Sequence, residues 1–339
     1  MRKRIHRFAL LLVALTLALP ICAQAVGEGD GWGAGAIHVP KNFKFSKLVN
    51  HGKGGVPPVA TGTKGRKIRQ ASQVLKAPQH SVFYANALGD YMGLMSYDPT
   101  TPTDVTTYAP FDKSLFNAGS TIKDGKLCGL YLDQSMIEYG IIFLWYGWFD
   151  LETGEYDGEV TNVSNRSLIA YATATDPKTG EVFGEFTDQT MQSWEFGVVD
   201  YDTKTRTTIA ETDNLYLAMG ITSQGDCYGI TDDGDLYRID RTTGEETRIG
   251  STGVRVTDAS GMAYSQGAVV DPKTDVFYWA ATDANGECTL YTVDLDDASV
   301  TRVCASPYQQ LALNVLPPLA EDKAPAAIHD FAVHFDAPA

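Results

Sequence analysis

FDLETGEYDGEV, residues 149–160, has an apolar residue and an aspartate closing one extended run, then a cluster of turn-forming residues, then a second extended run. The same arrangement returns in IDRTTGEETRI (239–249), VDYDTKTRTTI (199–209), VDLDDASVTRV (293–303) and, more loosely, YDPTTPTDVTTY (97–108). Each predicts a β-hairpin, because Asp, Thr, Pro and Gly supply the local hydrogen bonds or backbone angles that a tight turn needs. The anchoring aspartates Asp98, Asp150, Asp200, Asp240 and Asp294 lie 52, 50, 40 and 54 residues apart.

A second turn precedes four of these hairpins: Lys123-Asp124-Gly125, Asp176 to Gly180, Gln224-Gly225-Asp226 and Asp271 to Asp275. LCGLYLD, VFGEFTD, CYGITDD and VFYWAATD follow those turns and have the β-branched and aromatic content of strands. The unit is therefore strand, turn, strand, loop, strand, hairpin, strand. Four short strands in roughly 40 to 50 residues is one blade of a β-propeller, whose faces are buried only by neighbouring blades. A β-sandwich array is the rival; the repeat length and the recurrent double turn favour the propeller. The expectation is an all-β propeller over 76–318, with five or six four-stranded blades. LALNVLPP, 311–318, looks like the opening strand of a sixth, and its closing partner is sought in residues 36–75.

The aromatic run IIFLWYGWF, 141–149, aligns with EFGVVD, DLYRID and CTLYTVD as the third strand of its blade. A strand covered on both faces reads as a continuous apolar run, so packing explains it. The alternative is that Trp145, Tyr146 or Trp148 reaches a surface, where an aromatic ring can stack on a sugar.

The chain ends differ from its centre. Arg2, Lys3, Arg4 and Arg7 precede an apolar run from Phe8 to Leu19, and Ala23-Gln24-Ala25 completes the pattern of a secretory signal peptide, 1–25, cleaved after Ala25. Cys22 raises a lipoprotein reading, which Leu19-Pro20-Ile21 opposes for want of a small residue. Residues 26–75 form an irregular leader that is basic, with Gly and Pro, and is read either as an arm on the acidic propeller or as a solvated segment. KGRKIRQ within it fits a trypsin-like protease. Residues 319–339 are a linker followed by an alternating, strand-like segment.

The formal charge of −15 becomes more negative once the basic signal is removed, which argues against nucleic acid and anionic membranes as partners. No later apolar stretch has the length of a transmembrane helix. The expected location is secreted, periplasmic or cell-surface. Of the cysteines left after cleavage, Cys288 and Cys304 flank the hairpin centred near Asp296 and are candidates for a disulfide; Cys128 and Cys227 belong to different blades.

Little in the blades resembles catalytic machinery. No histidine lies between His80 and His329, and no CxxC pair is present, so neither a serine hydrolase arrangement nor a zinc site is expected there. Asp188, Glu195, Glu211, Asp232, Asp233 and Asp235 offer carboxylates for glycoside hydrolysis, but availability in so acidic a chain discriminates nothing. Asp232-Asp233-Gly234-Asp235 lacks the spacing of an EF-hand and reads as a hairpin turn.

A signal peptide, a propeller with DPKTG and LYTVD-like turns, and a final APAAIHDFAV strand together resemble secreted multidomain bacterial surface proteins that couple a propeller to fibronectin type III or adhesin-type modules. The resemblance implies a cell-surface or adhesin-like role, and the want of histidine, of a metal cluster and of a sialidase-like arginine set among the blades favours a non-catalytic binding module for an extracellular protein or glycan; a monomer without a cofactor is expected. A carboxylate-based carbohydrate-active enzyme on the same fold is the alternative. For a binding rim near the axis the candidates are Trp194, Tyr216, Tyr264 and Trp279, with Trp145 and Trp148 further out.

Overall fold

The computed structural model describes residues 36–38, 80–111, 115–116, 119–133, 141–160, 170–187, 194–257, 266–283 and 285–316. The signal peptide, the rest of the leader and the segment after Leu316 lie outside these. The described elements are strands only. No helix among them is long and apolar enough to cross a membrane.

In chain order, β1 (Ala36–His38) comes first, followed by β2 (Phe83–Leu88), β3 (Gly93–Tyr97) and β4 (Thr106–Pro110). The next sheet contains β5 (Leu115–Phe116), β6 (Ser120–Lys123), β7 (Lys126–Asp133), β8 (Ile141–Asp150) and β9 (Tyr156–Val160). Then come β10 (Ala170–Thr175), β11 (Val182–Thr187), β12 (Trp194–Asp200) and β13 (Thr205–Thr212); β14 (Tyr216–Ile221), β15 (Cys227–Thr231), β16 (Asp235–Ile239) and β17 (Glu246–Ser251). The last are β18 (Gly267–Asp271), β19 (Val276–Thr282), β20 (Cys288–Val293), β21 (Val300–Ala305) and β22 (Gln309–Val315).

β10–β13, β14–β17 and β18–β21 are three antiparallel four-stranded sheets in sequence order, and β6–β9 form a fourth that β1 and β5 extend. The fifth has the order β22-β2-β3-β4. The five inner strands β22, β6, β10, β14 and β18 contact one another in turn and close a ring. The fold is a five-bladed β-propeller.

Two expectations are corrected. β22 opens no sixth blade, and its partner does not come from 36–75: it pairs with β2, from Phe83↔Val315 to Leu88↔Gln309. Among the described residues the first repeat supplies no inner strand of its own, so β2 and β22 would each expose an edge unless they met.

Each sheet is a gradient from axis to rim. β14 and β6 ahead of Lys123 are buried throughout, whereas the outer strands β4, β17 and β21 carry only half-buried and exposed residues. Phe83, Phe149, Phe196, Phe277 and Trp279, all at 1% exposure or less, fill the spaces between blades. The recurrent aspartates build their turns as the sequence suggests. Asp150 Oδ1 accepts the Glu152 and Thr153 amides at 2.9 and 2.8 Å, and Asp240 Oδ1 accepts those of Thr242 and Thr243 at 2.8 and 2.9 Å. Those backbone bonds hold both carboxyls below the usual carboxylate range.

One recurrent feature carries no signal in the turns. In four blades the third and fourth strands shift register through a bulge, at Met95, Gly197, Tyr237 and Tyr291. A bulge adds twist, which lets the outer strands wrap across the neighbouring blade.

Candidate functional site

Antiparallel order divides the connections between two faces. First-to-second and third-to-fourth strand turns leave one end of the axis; second-to-third and blade-to-blade connections leave the other. The first face is built from the short aspartate turns. The second carries the connections β7–β8, β9–β10, β11–β12 and β17–β18, which pass through residues outside the described set.

The axial channel between these faces is narrow. Toward the turn face it encloses about 30 Å³, bounded among others by Thr121, Thr175, Met219, Val270 and Asn314; deeper in it narrows to about 10 Å³ beside Gln266 and Ala312. A water needs roughly 10–15 Å³, so a few waters fit and a sugar ring does not. One side of the wall is tied by polar side chains. Asn314 Nδ2 donates to Ser120 Oγ at 2.6 Å, Ser120 N donates to Thr173 Oγ1 at 2.8 Å, and the Thr121 and Thr175 hydroxyls are 2.9 Å apart. These bonds link β22, β6 and β10 along the channel wall.

A ligand must therefore meet a rim. On the loop-bearing face the structure places two pairs of half-buried aromatics. Tyr171, near the start of β10, meets Trp194, which opens β12, edge to face at 5.3 Å and 81°. Tyr91, between β2 and β3, lies 5.5 Å from Tyr308, which precedes β22. Tyr91 Oη donates to Leu94 O and accepts from Tyr108 N, so its ring is held from behind. Burial pushes that phenol up to about 12.

Beside the Tyr171 pair lies Glu185, at 0% exposure. Its Oε1 accepts from Thr212 Oγ1 at 2.7 Å, and its Oε2 has no hydrogen-bond partner among the described residues. Burial first, then the nearby Glu246 and Glu195 carboxylates, raise its pKa well above the ordinary value despite the Thr212 hydrogen bond. Register makes the position informative. Measured from the anchoring aspartates, Glu185 is equivalent to Asn86, Leu130, Ile230 and Ala280. A carboxyl thus occupies a site that three other blades fill with an apolar side chain. Aligning VFGEFTD with CYGITDD exposes this glutamate in the sequence; Tyr171 gives no such signal.

Of the described side chains among those singled out from sequence, Trp194 alone reaches the loop-bearing rim. Tyr216 is fully buried, its hydroxyl donating to Glu246 Oε1 at 2.5 Å, and Trp279 is fully buried within the core of blades four and five. Both are blade packing. Trp148 is half-buried on the flank of the second blade, with Lys126 Nζ 4.6 Å from its ring centre and Tyr146 at 5.9 Å. Trp145 pairs with Tyr131 and Val160 in β8, its side chain lying outside the described set, as does Tyr264. Cys288 and Cys304 are free thiols. The hairpin centres one half-step beyond Asp296, and the bulge at Tyr291 then sets Cys304 opposite Leu290 rather than Cys288. Among the described residues no group of three or more His, Cys, Asp or Glu is placed to hold a metal.

The class defined by this architecture is the five-bladed β-propeller. No protein-family model matches the chain, and no curated protein does. Among solved structures, the nidogen/laminin complex is similar at 9% identity over 69% of this chain and 97% of that one, with a TM-score of 0.41. TolB from Acinetobacter baumannii is similar at 15% identity over 70% of this chain and 67% of that one, with a TM-score of 0.37. Likeness at this level assigns no activity, and the propeller rests on its own sheets.

Proposed function

We propose that the protein is a secreted binding propeller, exported to the periplasm or cell surface, that holds an extracellular protein or glycan on its loop-bearing face. The observation that supports this is the division of labour between the faces. Short turns of repeated chemistry close one end, while the other carries connections that differ from blade to blade, with Tyr171, Trp194, Tyr91 and Tyr308 among them, partly buried against the blade cores and partly exposed. Connections that differ between repeats on a rigid scaffold are where recognition resides in such folds. Partly buried aromatics are rigid anchors for sugars and protein side chains alike. Residues 319–339 fit a junction to a further module of a surface protein.

The test is binding of residues 26–339 to an array of glycans and extracellular proteins, with product release followed by mass spectrometry. Saturable binding without turnover is expected. Tyr171→Ala and Trp194→Ala should each weaken it by about tenfold or more, as for an anchor worth roughly 1–2 kcal/mol. Trp148→Ala, on the flank, should leave it unchanged. Turnover of any glycan, or binding lost with Trp148 and kept without Trp194, overturns the reading.

A further inference from the structure

The second blade differs from the other four at its outer edge. Elsewhere the third and fourth strands match to within one residue: β3 and β4, β12 and β13, β16 and β17, β20 and β21. β8 has 10 residues and β9 only 5, and β9 covers just Trp145 to Phe149. β7 meanwhile accompanies β8 as far as Phe143, so the hairpin runs on past the blade. Its free edge is not left bare. β1 pairs antiparallel with it, Ala36↔Phe143, Ile37↔Ile142 and His38↔Ile141, while β5 pairs with β7 on the other side.

An edge like this presents unpaired backbone donors and acceptors in a row, and it is capped by a strand of 3 residues. So short a strand supplies few ladder hydrogen bonds and is readily exchanged. The chain between β1 and β2, residues 39–82, can span at most about 150 Å at roughly 3.3–3.6 Å per residue. That exceeds the width of a single domain several-fold. Nothing in the backbone pairing distinguishes a β1 arriving from its own chain from one arriving from a neighbour.

We propose that the Ile141–Phe143 edge is a strand-acceptor site, filled here by the chain's own β1, and that the β1 of a second copy takes its place when copies are crowded. The joined species is a strand-exchanged oligomer, in contrast to the monomer the sequence suggests. Every contact it uses is already present within one chain, so the exchange needs no new interface. High local concentration, as on a densely covered surface, favours it.

Ile37 and Ile142 are direct partners, so Ile37→Cys combined with Ile142→Cys places two thiols across antiparallel strands, at a separation a disulfide can bridge. Oxidised at low micromolar concentration, the double variant should give a cross-linked monomer of altered gel mobility. Near millimolar concentration it should give reducible covalent dimers and larger species, and a synthetic peptide of residues 33–41 should suppress them. Either single variant should give neither product. Cross-linking confined to the monomer at every concentration overturns the exchange. No cross-link at all, in a variant whose thermal melt matches the parent, overturns the acceptor site itself.

Discussion

Where Gly244 meets Ala210, a turn of the fourth blade lies against the outer strand of the third. A Cβ built on Gly244 falls 2.5 Å from the Ala210 Cβ, and its φ of +73° already disfavours a side chain. In the fifth blade the roles are exchanged, with Ala298 in the turn at φ 67° and Gly250 on the strand. Gly180 has φ +76° with nothing within 4 Å, so Gly180→Ala should cost about 1–2 kcal/mol of backbone strain alone. Gly244→Ala should cost a further 1–3 kcal/mol or so from overpacking, and adding Ala210→Gly should recover most of that increment. Urea denaturation of the three variants measures this; equal losses at 180 and 244 would refute the packing. Glu185 is a second residue-scale case. Its folded pKa is raised above the unfolded value near 4.5, so the stability it contributes is full below that pH and is lost as pH rises toward the folded value. Each unit of elevation corresponds to about 1.4 kcal/mol. Glu185→Gln should therefore melt at a higher temperature than the parent at pH 7–8, with the gap closing near pH 4. Glu185→Leu should behave likewise, given Leu130 and Ile230 at the equivalent positions. A gap independent of pH would mean that the carboxyl ionises freely in place.

Between elements, the turn face is joined by a different clasp at each of four blade junctions. Lys123 pairs with Asp202, Arg241 with Asp176, Ser223 N and Oγ donate to Asp275 at 2.6 Å, and Ser81 Oγ donates to Asp271 at 2.7 Å. Burial ranks them. Asp176 is 2% exposed, whereas Lys123 and Asp202 are 46% and 61% exposed. Arg241→Ala leaves a buried carboxylate without its cation and should cost about 3 kcal/mol, while Lys123→Ala should cost under about 1 kcal/mol. Chemical denaturation distinguishes the two, and the reverse order would show that the Arg241 pair is solvated. These turns were legible from sequence because their hydrogen bonds run between residues two or three apart. Their clasp partners were not, since Asp176 and Arg241 are brought together only by the angle between two blades. The same holds for Cys288 and Cys304, whose symmetry about the turn is undone by the half-step in the hairpin centre and by one bulge.

At the scale of the molecule, closure depends on β22. Removing 309–339 strips the inner strand from the first blade and leaves β2 with a bare edge, so the product should lose cooperative unfolding and elute as aggregates. Removing 319–339 retains every described strand and should leave the melt cooperative. Circular dichroism and size-exclusion chromatography check both; a cooperative monomer lacking β22 would mean that four blades and a remnant suffice. The all-β class, the four-stranded unit and the place of each hairpin follow from the residues alone, because turn chemistry and strand content are local properties that repeat. Blade number, the pairing of β22 with β2 and the burial of Tyr216 and Trp279 emerge only when the blades assemble. A strand's sequence records that it has a buried face but not which edge or blade covers it, and in this ring the choice falls to the closure that pairs β2 with β22 rather than leaving both without a partner there.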